Sequence, residues 1–521
     1  MQDNTVTIDT SSSPAKLTFA PTFNVAVPFI DRHIDEGRAA KVAIRAAEGD
    51  VTYGELAANV NRAGNALSGL GLATGDRVVM AVKDCPSFFY IFWGAIKAGY
   101  VPVPVNTLLR ANDYHFILEN SGCAAALYSP EFAAEFEPAL AEANPGPKQN
   151  LTTDAFATQM DAVSDTLDPA PATADDDCFW LYTSGSTGTP KGGVHAHRDM
   201  VVTSQYYGVE TLVATTDDIH FSAAKLFFAY GLGNAMTFPL WTGGQAVLFG
   251  GRPTPDIMFE TIETFRPTIY YGVPTLYAAQ LHALEKSSAD LSSLRACVSA
   301  GEPLPANIFE QWRDRTDLTI LDGIGTTEVL HIFIGNSLDH HKAGSSGKVV
   351  PGYEAKIVDD NDNPVAAGEV GNLMIRGGSV ISRYWDDPAR TAAALVDGWI
   401  RTGDSYYQDA DGYFVCCGRS DDMLKVGGIW VSPVEIEAQL IAHDKVLEAA
   451  IVGRPDDDEM IKPEAFVILK DGGDASDALA DELRAHCRNN LAPYKYPRWF
   501  NFVDELPKTA TGKIQRFKLR G

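Results

Sequence analysis

The sequence predicts an α/β protein built from more than one domain. With 521 residues, the chain exceeds what one hydrophobic core accommodates, and about two to four units are expected. Strand-type and helix-type segments alternate through its first part, which is the rhythm of a parallel sheet with helices on its faces. Near residue 420 the pattern changes to a compact α+β unit. We therefore divide the chain into residues 1–420 and 421–521.

The first elements follow from the spacing of apolar residues, which is helical in some segments and a short continuous run in others. The expected elements are helices at 53–72, 86–98 and 116–120, and strands at 77–82, 100–105 and 124–128. Residues 129–177 are rich in Ala, Pro, Asp and Thr, so we expect a surface excursion there. A strand-and-turn region with many Gly and Asp residues covers 356–414.

The C-terminal unit has a clear helix start. Ser432 occupies the N-cap, a proline follows at the first helical position, and Glu435 stands where a capping box needs an acid. The helix is expected to end near Ala442. Strands are expected at 447–452 and 464–469, and a second helix at 475–491.

Composition excludes several classes of protein. Lys and Arg total 42 against 68 Asp and Glu, so the net charge of −26 argues against a nucleic-acid partner. No segment reaches the roughly 20 apolar residues of a membrane helix, and the N-terminus lacks the features of a signal peptide. Seven scattered cysteines, without a CxxC or HExxH motif, indicate reduced thiols and a cytoplasmic location.

The strongest local signal is the segment 182–192, Tyr-Thr-Ser-Gly-Ser-Thr-Gly-Thr-Pro-Lys-Gly, which follows an apolar strand-type run. Its glycines let the backbone fold tightly and point N–H groups at one spot, and Lys191 adds a positive charge. The composition is typical of a phosphate-binding loop. It is not a Walker A loop, because Pro190 and Gly192 stand where that motif requires Gly and Ser or Thr. The alternative is a flexible Gly/Ser linker.

Six motifs in order resemble those of the acyl-adenylate-forming enzymes, which include acyl-CoA synthetases, luciferases and peptide-synthetase adenylation domains. They are Tyr182–Gly192, Ser299–Pro305, Asp322–Glu328, Arg401–Asp404, Gly418–Gly428 and Pro507–Lys513. The resemblance covers residues of about 25–521. It implies a large N-terminal domain of layered α/β subdomains with a small β-barrel-like subdomain, and a small mobile C-terminal domain.

The reaction that this family carries out sets clear demands on a site. A carboxylate oxygen attacks the α-phosphate of ATP, giving an acyl adenylate and pyrophosphate, and the adenylate then transfers its acyl group to a thiol and releases AMP. No protein nucleophile is required, because catalysis consists of positioning two anions and neutralising their charge. The resemblance therefore implies ATP, Mg²⁺ and coenzyme A as the small molecules bound.

The resemblance also assigns residues to these roles. Lys513 is expected to bridge the carboxylate and α-phosphate oxygens, Thr327 to contact the α-phosphate, and Glu328 to bind Mg²⁺. The other residues expected around ATP belong to the phosphate loop, the adenine wall and the ribose site: Thr183, Ser184, Gly185, Thr187 and Lys191; Gly301, Glu302, Pro303, Asp322, Gly323 and Ile324; Asp404 and Arg419. Five basic residues and no acidic one lie within 508–521, which fits a tail that meets anions.

The acid is expected to be aromatic. Segment 225–234 and the pair His331-Ile332 resemble the benzoate-activating branch of the family. The expected wall is short, flat and apolar, and consists of Phe228, Ala229, Tyr230, Gly231, Ala300, Gly325, His331 and Ile332. These aromatic residues could instead be ordinary core. His331 could also contact a ring hydroxyl, so the para substituent stays open.

The family further implies rotation of the C-terminal domain between the two half-reactions. Asp421 is the expected hinge, and Lys425, Gly427 and Gly428 are expected to line the passage for the pantetheine arm of coenzyme A. The function predicted is thus AMP-forming ligation of benzoate or a close aryl acid to coenzyme A, as in the degradation of aromatic compounds. Alternatives are a 4-hydroxybenzoate or other aryl-acid ligase, a carrier-protein-loading enzyme, an oxygenase of luciferase type and a silent nucleotide-binding protein. The protein is expected to be a monomer or homodimer.

Overall fold

The chain folds into layered α/β units followed by antiparallel β structure and a small α+β unit. The computed structural model describes residues 2–184, 190–426, 429–456, 460–470, 475–508 and 514–520. The first strands are β1 (Val6–Asp9), β2 (Lys16–Phe19), β3 (Val42–Ala46), β4 (Gly49–Thr52), β5 (Arg77–Ala81), β6 (Val101–Pro104), β7 (Ala125–Tyr128) and β8 (Gln149–Thr152). The first helices are α1 (Arg32–Asp35), α2 (Tyr53–Gly69), α3 (Pro86–Lys97), α4 (Ala111–Ser121), α5 (Ala133–Glu142) and α6 (Thr153–Met160).

Strands β5, β6, β7 and β8 form a parallel sheet in the order β6-β5-β7-β8. The predicted parallel pairing is therefore confirmed. Helix α2 begins at a capping box, because Thr52 Oγ1 accepts from the Glu55 N–H while Glu55 Oε2 accepts from the Thr52 N–H. Its apolar face packs on α3, whose Phe88, Phe92 and Trp93 side chains are fully buried.

The prediction of a surface excursion over residues 129–177 is wrong for residues 133–160. This stretch contains α5 and α6, and β8 pairs in parallel with β7 to extend the sheet. The Ala- and Thr-rich composition hid this short βα unit, because its inward-facing members are few. Phe136, Phe156 and Met160 bury their side chains and anchor it to the rest of the fold.

The central part of the chain forms a nine-stranded sheet with the order β17-β16-β15-β14-β13-β11-β12-β3-β4. The strands not yet named are β9 (Asp177–Ser184), β10 (Pro190–Ala196), β11 (Ile219–Ser222), β12 (Gln245–Val247), β13 (Ile269–Gly272), β14 (Ala296–Ser299), β15 (Ile320–Gly325), β16 (Ile332–Gly335) and β17 (Lys348–Val349). The helices are α7 (His197–Thr203), α8 (Ala229–Leu232), α9 (Phe238–Thr242), α10 (Pro255–Phe265), α11 (Pro274–Lys286) and α12 (Ala306–Thr316), with π-helical turns at Val27–Asp31, Ser204–Thr211 and Gly233–Thr237. The six inner strands from β15 to β3 are parallel, so their carboxyl ends meet at one edge.

Antiparallel β structure follows in the strand-and-turn region. Its elements are β18 (Tyr353–Val358), β19 (Gly371–Gly377), β20 (Arg383–Tyr384), α13 (Pro388–Ala394), β21 (Leu395–Val396), β22 (Trp399–Gln408) and β23 (Phe414–Arg419). Five of these strands form one sheet, whereas β20 leaves it and pairs with β10 beside β9. The pairing of β20 with β10 brings a late segment of the chain next to the strand that carries Lys191.

The C-terminal unit has its own hydrophobic core. Its elements are β24 (Leu424–Val426), β25 (Ile429–Val431), α14 (Pro433–Ile441), β26 (Val446–Pro455), β27 (Ile461–Leu469), α15 (Asp477–Asn490) and β28 (Trp499–Phe502). Buried members of this core run from Leu424 to Tyr496. Ser432 caps α14 as predicted, but the Glu435 carboxylate does not complete the capping box, because it pairs with Lys495 Nζ at 2.6 Å. Within the described ranges no helix is long and apolar enough to cross a membrane.

Candidate active site

The candidate site lies where the parallel strands of the large sheet end. Strand β15 ends at Gly325, a 3-10 turn covers Thr327–Val329, and β16 returns from Ile332. Strands β14, β13 and β11 follow β15 in the order of the sheet, and their carboxyl ends lie at the same edge. Open α/β sheets bind ligands in the crevice outside the carboxyl ends of their strands. The turn between β15 and β16 thus joins the residues predicted for ATP to those predicted for the acid.

Three side chains meet at this turn, and we refer to Lys191, Glu328 and Tyr384 as the ionic triad. Lys191 Nζ lies 2.8 Å from Glu328 Oε1 and 2.7 Å from the Tyr384 hydroxyl oxygen. The Tyr384 hydroxyl donates to the same Glu328 oxygen at 2.7 Å. The Lys191 ammonium also lies 4.4 Å from the centre of the Tyr384 ring. Two predicted residues are therefore brought together by a third that the sequence did not single out.

The Glu328 carboxylate stays ionised although it is shielded from water. Its side chain is 13% exposed, and burial alone would raise the pKa of this carboxyl group. The Lys191 ammonium and the hydrogen bonds of the triad outweigh that effect and hold the pKa of Glu328 below its ordinary value. An ionised, partly enclosed carboxylate is a suitable oxygen ligand for Mg²⁺.

A buried hydrogen-bonded pair supports the neighbouring Thr327. His195 Nδ1 lies 2.8 Å from Asp199 Oδ2, and His195 Nε2 lies 2.9 Å from the carbonyl oxygen of Thr327. His195 and Asp199 are both fully buried. Because His195 donates through one nitrogen to the turn and contacts a carboxylate through the other, this pair fixes the backbone of the turn. His197 serves elsewhere, as its Nδ1 accepts from the Val25 N–H at 3.1 Å.

The residues predicted around adenine lie along β14 and β15. Gly301 follows β14 with a φ of +97°, a left-handed conformation that favours glycine. Asp322 is buried in β15, and its Oδ1 has no hydrogen-bond partner among the described residues. Burial raises the pKa of Asp322 well above its ordinary value. The remaining members of this set line the same two strand ends: Glu302 and Pro303 after β14, and Gly323 and Ile324 in β15.

The predicted ribose pair lies where the last residue of β23 meets the middle of β22. Asp404 in β22 lies opposite Arg419 in β23 in the strand register. Arg419 Nη1 donates to Asp404 Oδ1 and to the Thr402 carbonyl, each at 3.1 Å. The Asp404 side chain is 15% exposed. A carboxylate accepts hydrogen bonds through both oxygens, which is the chemistry that the two hydroxyls of a ribose need.

On the other side of the turn, three aromatic rings pack around the ring of His331. We refer to Tyr207, Tyr230, Phe238 and His331 as the aromatic cluster. The His331 ring centre lies 5.1 Å from that of Tyr207, 5.6 Å from Tyr230 and 4.5 Å from Phe238. Gly233 permits this packing, since a Cβ there would overlap the His331 ring. Ala300 and Ile332 belong to the hydrophobic core that also contains Tyr207 and Phe238. Ala229 and Gly231 are buried in α8, directly before the π-helical turn.

His331 is neutral in this environment. Burial lowers the pKa of His331 to about 3, and its Nε2 lies 3.0 Å from Asn234 Oδ1. Asn234 therefore occupies His331 Nε2 and also donates to Ser222, whereas His331 Nδ1 is buried without a hydrogen-bond partner among the described residues. Tyr230 donates its hydroxyl to the Gly272 carbonyl at 3.2 Å. Phe228 precedes α8, and its ring stacks edge-on against Phe227 with centres 4.4 Å apart.

Ion pairs join the predicted hinge to the C-terminal tail. Asp421 is exposed in the 3-10 turn Ser420–Asp422. Its neighbour Asp422 pairs with Arg516 at 3.5 Å and with Arg520. Arg516 in turn contacts Glu437 of α14 at 2.7 Å. The segment that follows Lys513 in sequence is thereby tied to both the hinge and the C-terminal unit.

Several predicted residues fall outside the described residues: Gly185, Thr187, Gly427, Gly428 and Lys513. Thr183 and Ser184 end β9, where Thr183 lies opposite Lys191 in the register with β10. Lys425 is exposed in β24. The roles proposed for all of these residues stay predictions.

Sequence reasoning assigned no role to Asn234, although it lies in segment 225–234, and it missed Tyr384, Tyr207 and Phe238. None belongs to a glycine-rich or charged motif, and each reaches the site through a long-range contact. The Tyr-Trp pair at 384–385, between two charged stretches, was the only local signal for Tyr384.

Two family models match this chain. Residues 31–385 match the AMP-binding enzyme model, and residues 435–513 match the AMP-binding enzyme C-terminal domain. The chain belongs to the AMP-binding enzyme family. This confirms the predicted family and, with it, the layered large domain and the small C-terminal domain.

Individual relatives are aryl-CoA ligases. The chain is 47% identical over 519 residues to a benzoate–CoA ligase of Thauera aromatica, covering 98% of each protein. The crystal structure of the anthranilate CoA ligase AuaEII with anthranoyl-AMP has a TM-score of 0.93, with 42% identity over 96% of this chain and 97% of that one. A benzoate CoA ligase from Burkholderia xenovorans LB400 has a TM-score of 0.89, with 43% identity over 96% of this chain and 100% of that one.

Proposed function

We propose that this protein ligates benzoate, or a closely related aryl carboxylate, to coenzyme A through an aryl adenylate, releasing AMP and pyrophosphate. The observation that carries the proposal is the β15–β16 turn. It places Glu328 of the ionic triad three residues before His331 of the aromatic cluster. A carboxylate whose ring lies in the cluster would project its charged end toward the triad, where the phosphates of ATP would lie.

The first half-reaction needs charge neutralisation around phosphate oxygens. Lys191 supplies a fixed cation, and the Glu328 carboxylate would hold Mg²⁺. The metal, when bound, neutralises phosphate charge. Thr327 would contact the α-phosphate from a turn that His195 fixes, and Asp404 with Arg419 would hold the ribose. Lys513 would arrive from the C-terminal unit to bridge the two reacting oxygens.

The aromatic cluster favours a flat, uncharged ring. Its polar groups are neutral or hydrogen-bonded internally, so an aryl ring entering it desolvates no additional charge. Rings that stack or meet edge-on contribute about 0.5–1.5 kcal/mol per pair beyond area burial. A long alkyl chain gains no such contacts and would need a longer cavity than four closely packed rings leave.

The second half-reaction would use a different orientation of the C-terminal domain. We take residues 1–420 and 421–521 as the two bodies and Asp421 as the hinge between them. Lys425, Gly427 and Gly428 would then line the approach of the coenzyme A thiol. The tie between Asp422 and Arg516 means that motion at the hinge would carry the lysine-bearing tail with it.

Location and assembly complete the proposal. All seven cysteines are free thiols, which suits the reducing environment of a cytoplasm. The partners are the small molecules named above, and a monomer or homodimer is expected. Light scattering of the purified protein would decide between these two states.

A panel of acids tests the function. AMP release and thioester formation would be measured with benzoate, 4-hydroxybenzoate, 2-aminobenzoate and hexanoate, each with and without coenzyme A. We expect the highest kcat/KM with benzoate or an amino- or hydroxybenzoate, and thioester formation only when coenzyme A is present. A preference for hexanoate would exclude the aryl assignment. Adenylate formation without transfer to coenzyme A would point to carrier-protein loading.

A further inference from the structure

The Tyr384 hydroxyl lies between the two charged members of the ionic triad. It accepts a hydrogen bond from Lys191 and donates one to Glu328, both at 2.7 Å. We infer that Tyr384 is a positioning residue for ATP binding, holding the Lys191 ammonium and the Glu328 carboxylate in a preassembled arrangement. This inference rests on the proposed function, because it assigns those two groups to the phosphates and their metal.

Backbone pairing fixes where the hydroxyl lies. Strand β20 pairs antiparallel with β10, and Tyr384 stands opposite Gly193, two residues after Lys191. The Trp385 N–H donates to the Gly192 carbonyl at 2.8 Å, and the Tyr384 N–H donates to Thr391 Oγ1 at 3.0 Å. The Tyr384 residue is 3% exposed. The hydroxyl therefore cannot move far from the two charged groups without breaking this pairing.

A phenol suits the position because it donates and accepts at the same time. One lone pair of its oxygen accepts from the ammonium while its proton goes to the carboxylate. Without the hydroxyl, Lys191 and Glu328 could still pair directly, but both long side chains would regain rotamer freedom. Ordering them again on ligand binding would cost free energy. The hydroxyl thus lowers the cost of organising the site before ATP arrives.

The test compares two tyrosines that each donate to a glutamate. Tyr384→Phe removes the hydroxyl and keeps the ring. Tyr128→Phe is the matched control, because Tyr128 of β7 is buried and donates to Glu137 of α5 at 2.9 Å, away from the triad. The readout is equilibrium binding of α,β-methylene-ATP with Mn²⁺, measured by the EPR signal of free Mn²⁺ and by calorimetry, in the absence of any acid.

We expect Tyr384→Phe to weaken binding of the Mn²⁺–analogue complex about tenfold, since hydrogen bonds to charged groups contribute more than neutral ones. Tyr128→Phe should bind within about twofold of the unaltered protein, an effect below that of one net hydrogen bond. In turnover, Tyr384→Phe should raise the KM for ATP and leave the KM for the aryl acid unchanged. In the background of Glu328→Gln, the Tyr384→Phe change should cost less affinity than it does alone.

Unchanged analogue binding in Tyr384→Phe would overturn the inference. An equal loss in Tyr128→Phe, or a full additional loss in the Glu328→Gln background, would also overturn it, because either result indicates a general structural effect. Melting temperatures of all variants show whether the fold is retained. Because no acid is present in the binding experiment, its result is readable even if the panel of acids disproves the aryl-CoA ligase function.

Discussion

The ionic triad and the aromatic cluster lie on either side of one turn, yet burial has opposite outcomes in them. Glu328 keeps its charge, because Lys191 and Tyr384 compensate the loss of water. His331, three residues later, loses the ability to ionise near neutral pH, because its neighbours are rings and an amide. The partner supplied by distant strands, rather than burial itself, therefore decides the charge state of each group.

The largest effect is expected when the negative charge of the ionic triad is removed. Glu328→Gln takes away the carboxylate that would hold Mg²⁺ and leaves the Lys191 ammonium without its counter-charge. We expect benzoate-dependent ATP–pyrophosphate exchange to fall by a factor on the order of 10²–10³, as for loss of one preorganised electrostatic group. Glu137→Gln is the control, since Glu137 also accepts from a tyrosine but lies in α5, away from the ionic triad. Exchange above a tenth of the original rate would show that Glu328 is not part of the machinery.

The next largest effect is expected at Lys513 of the C-terminal unit. Its ammonium would reach the reacting oxygens in only one orientation of the C-terminal domain. Lys513→Ala should lower adenylate formation by on the order of 10²-fold and leave thioester formation from supplied benzoyl adenylate largely intact. Lys518→Ala, in the 3-10 turn Arg516–Lys518 of the same tail, is the control. Equal loss of both half-reactions would contradict the assignment of two faces to this domain.

Removing the His331 ring from the aromatic cluster should weaken binding of the aryl acid and leave ATP binding unchanged. His331→Ala removes a ring that touches three others and leaves Asn234 without its partner. We expect the dissociation constant for benzoate to rise by roughly 10–100-fold, from lost ring contacts and the cavity left behind. Binding of the ATP analogue should stay within twofold, an allowance below one net hydrogen bond. Calorimetry of each ligand separately measures both, and a matching loss of analogue affinity would mean that the two regions are not independent.

The smallest expected effect concerns pH. The pKa of His331 is about 3 in the folded protein and 6.5 in an ordinary setting. Below pH 6.5 the unfolded chain therefore binds a proton that the folded chain does not, and this group lowers stability increasingly as pH falls toward 3. His331→Gln should remove that dependence, making the unfolding free energy less steep by about 1.4 kcal/mol per pH unit between pH 6 and 4. Denaturant titrations across this pH range measure the slope, and identical slopes would show that His331 ionises normally.

The sequence alone predicted the family, the order of its motifs and the parallel strands, because these depend on local spacing and on ordered glycine-rich segments. It predicted that Lys191 and Glu328 serve one site, although 137 residues separate them. It did not predict the geometry that joins them. Tyr384 reaches the triad because β20 leaves its own sheet to pair with β10, and no local pattern encodes that exchange.

The hydrogen bonds on the two sides of the turn differ in how far the sequence could indicate them. Lys191 and Glu328 carry opposite charges, so their pairing could be anticipated once they were assigned to one site. The hydrogen bond between His331 Nε2 and Asn234 could not, because Asn234 lies in a π-helical turn that the apolar spacing did not indicate. The short βα unit around β8 was missed for a related reason, since its few buried residues gave no clear period.

The central claim is that an aryl acid and the α-phosphate of ATP react at the β15–β16 turn to give an adenylate. The most direct measurement mixes stoichiometric protein with Mg²⁺, ATP and benzoate, without coenzyme A, and analyses the acid-quenched mixture by mass spectrometry. We expect protein-bound benzoyl adenylate together with pyrophosphate, and conversion of that adenylate to benzoyl-CoA with release of AMP when coenzyme A is added. Formation of ADP and phosphate instead, or of benzoyl-CoA without any detectable adenylate on the reaction time scale, would contradict it.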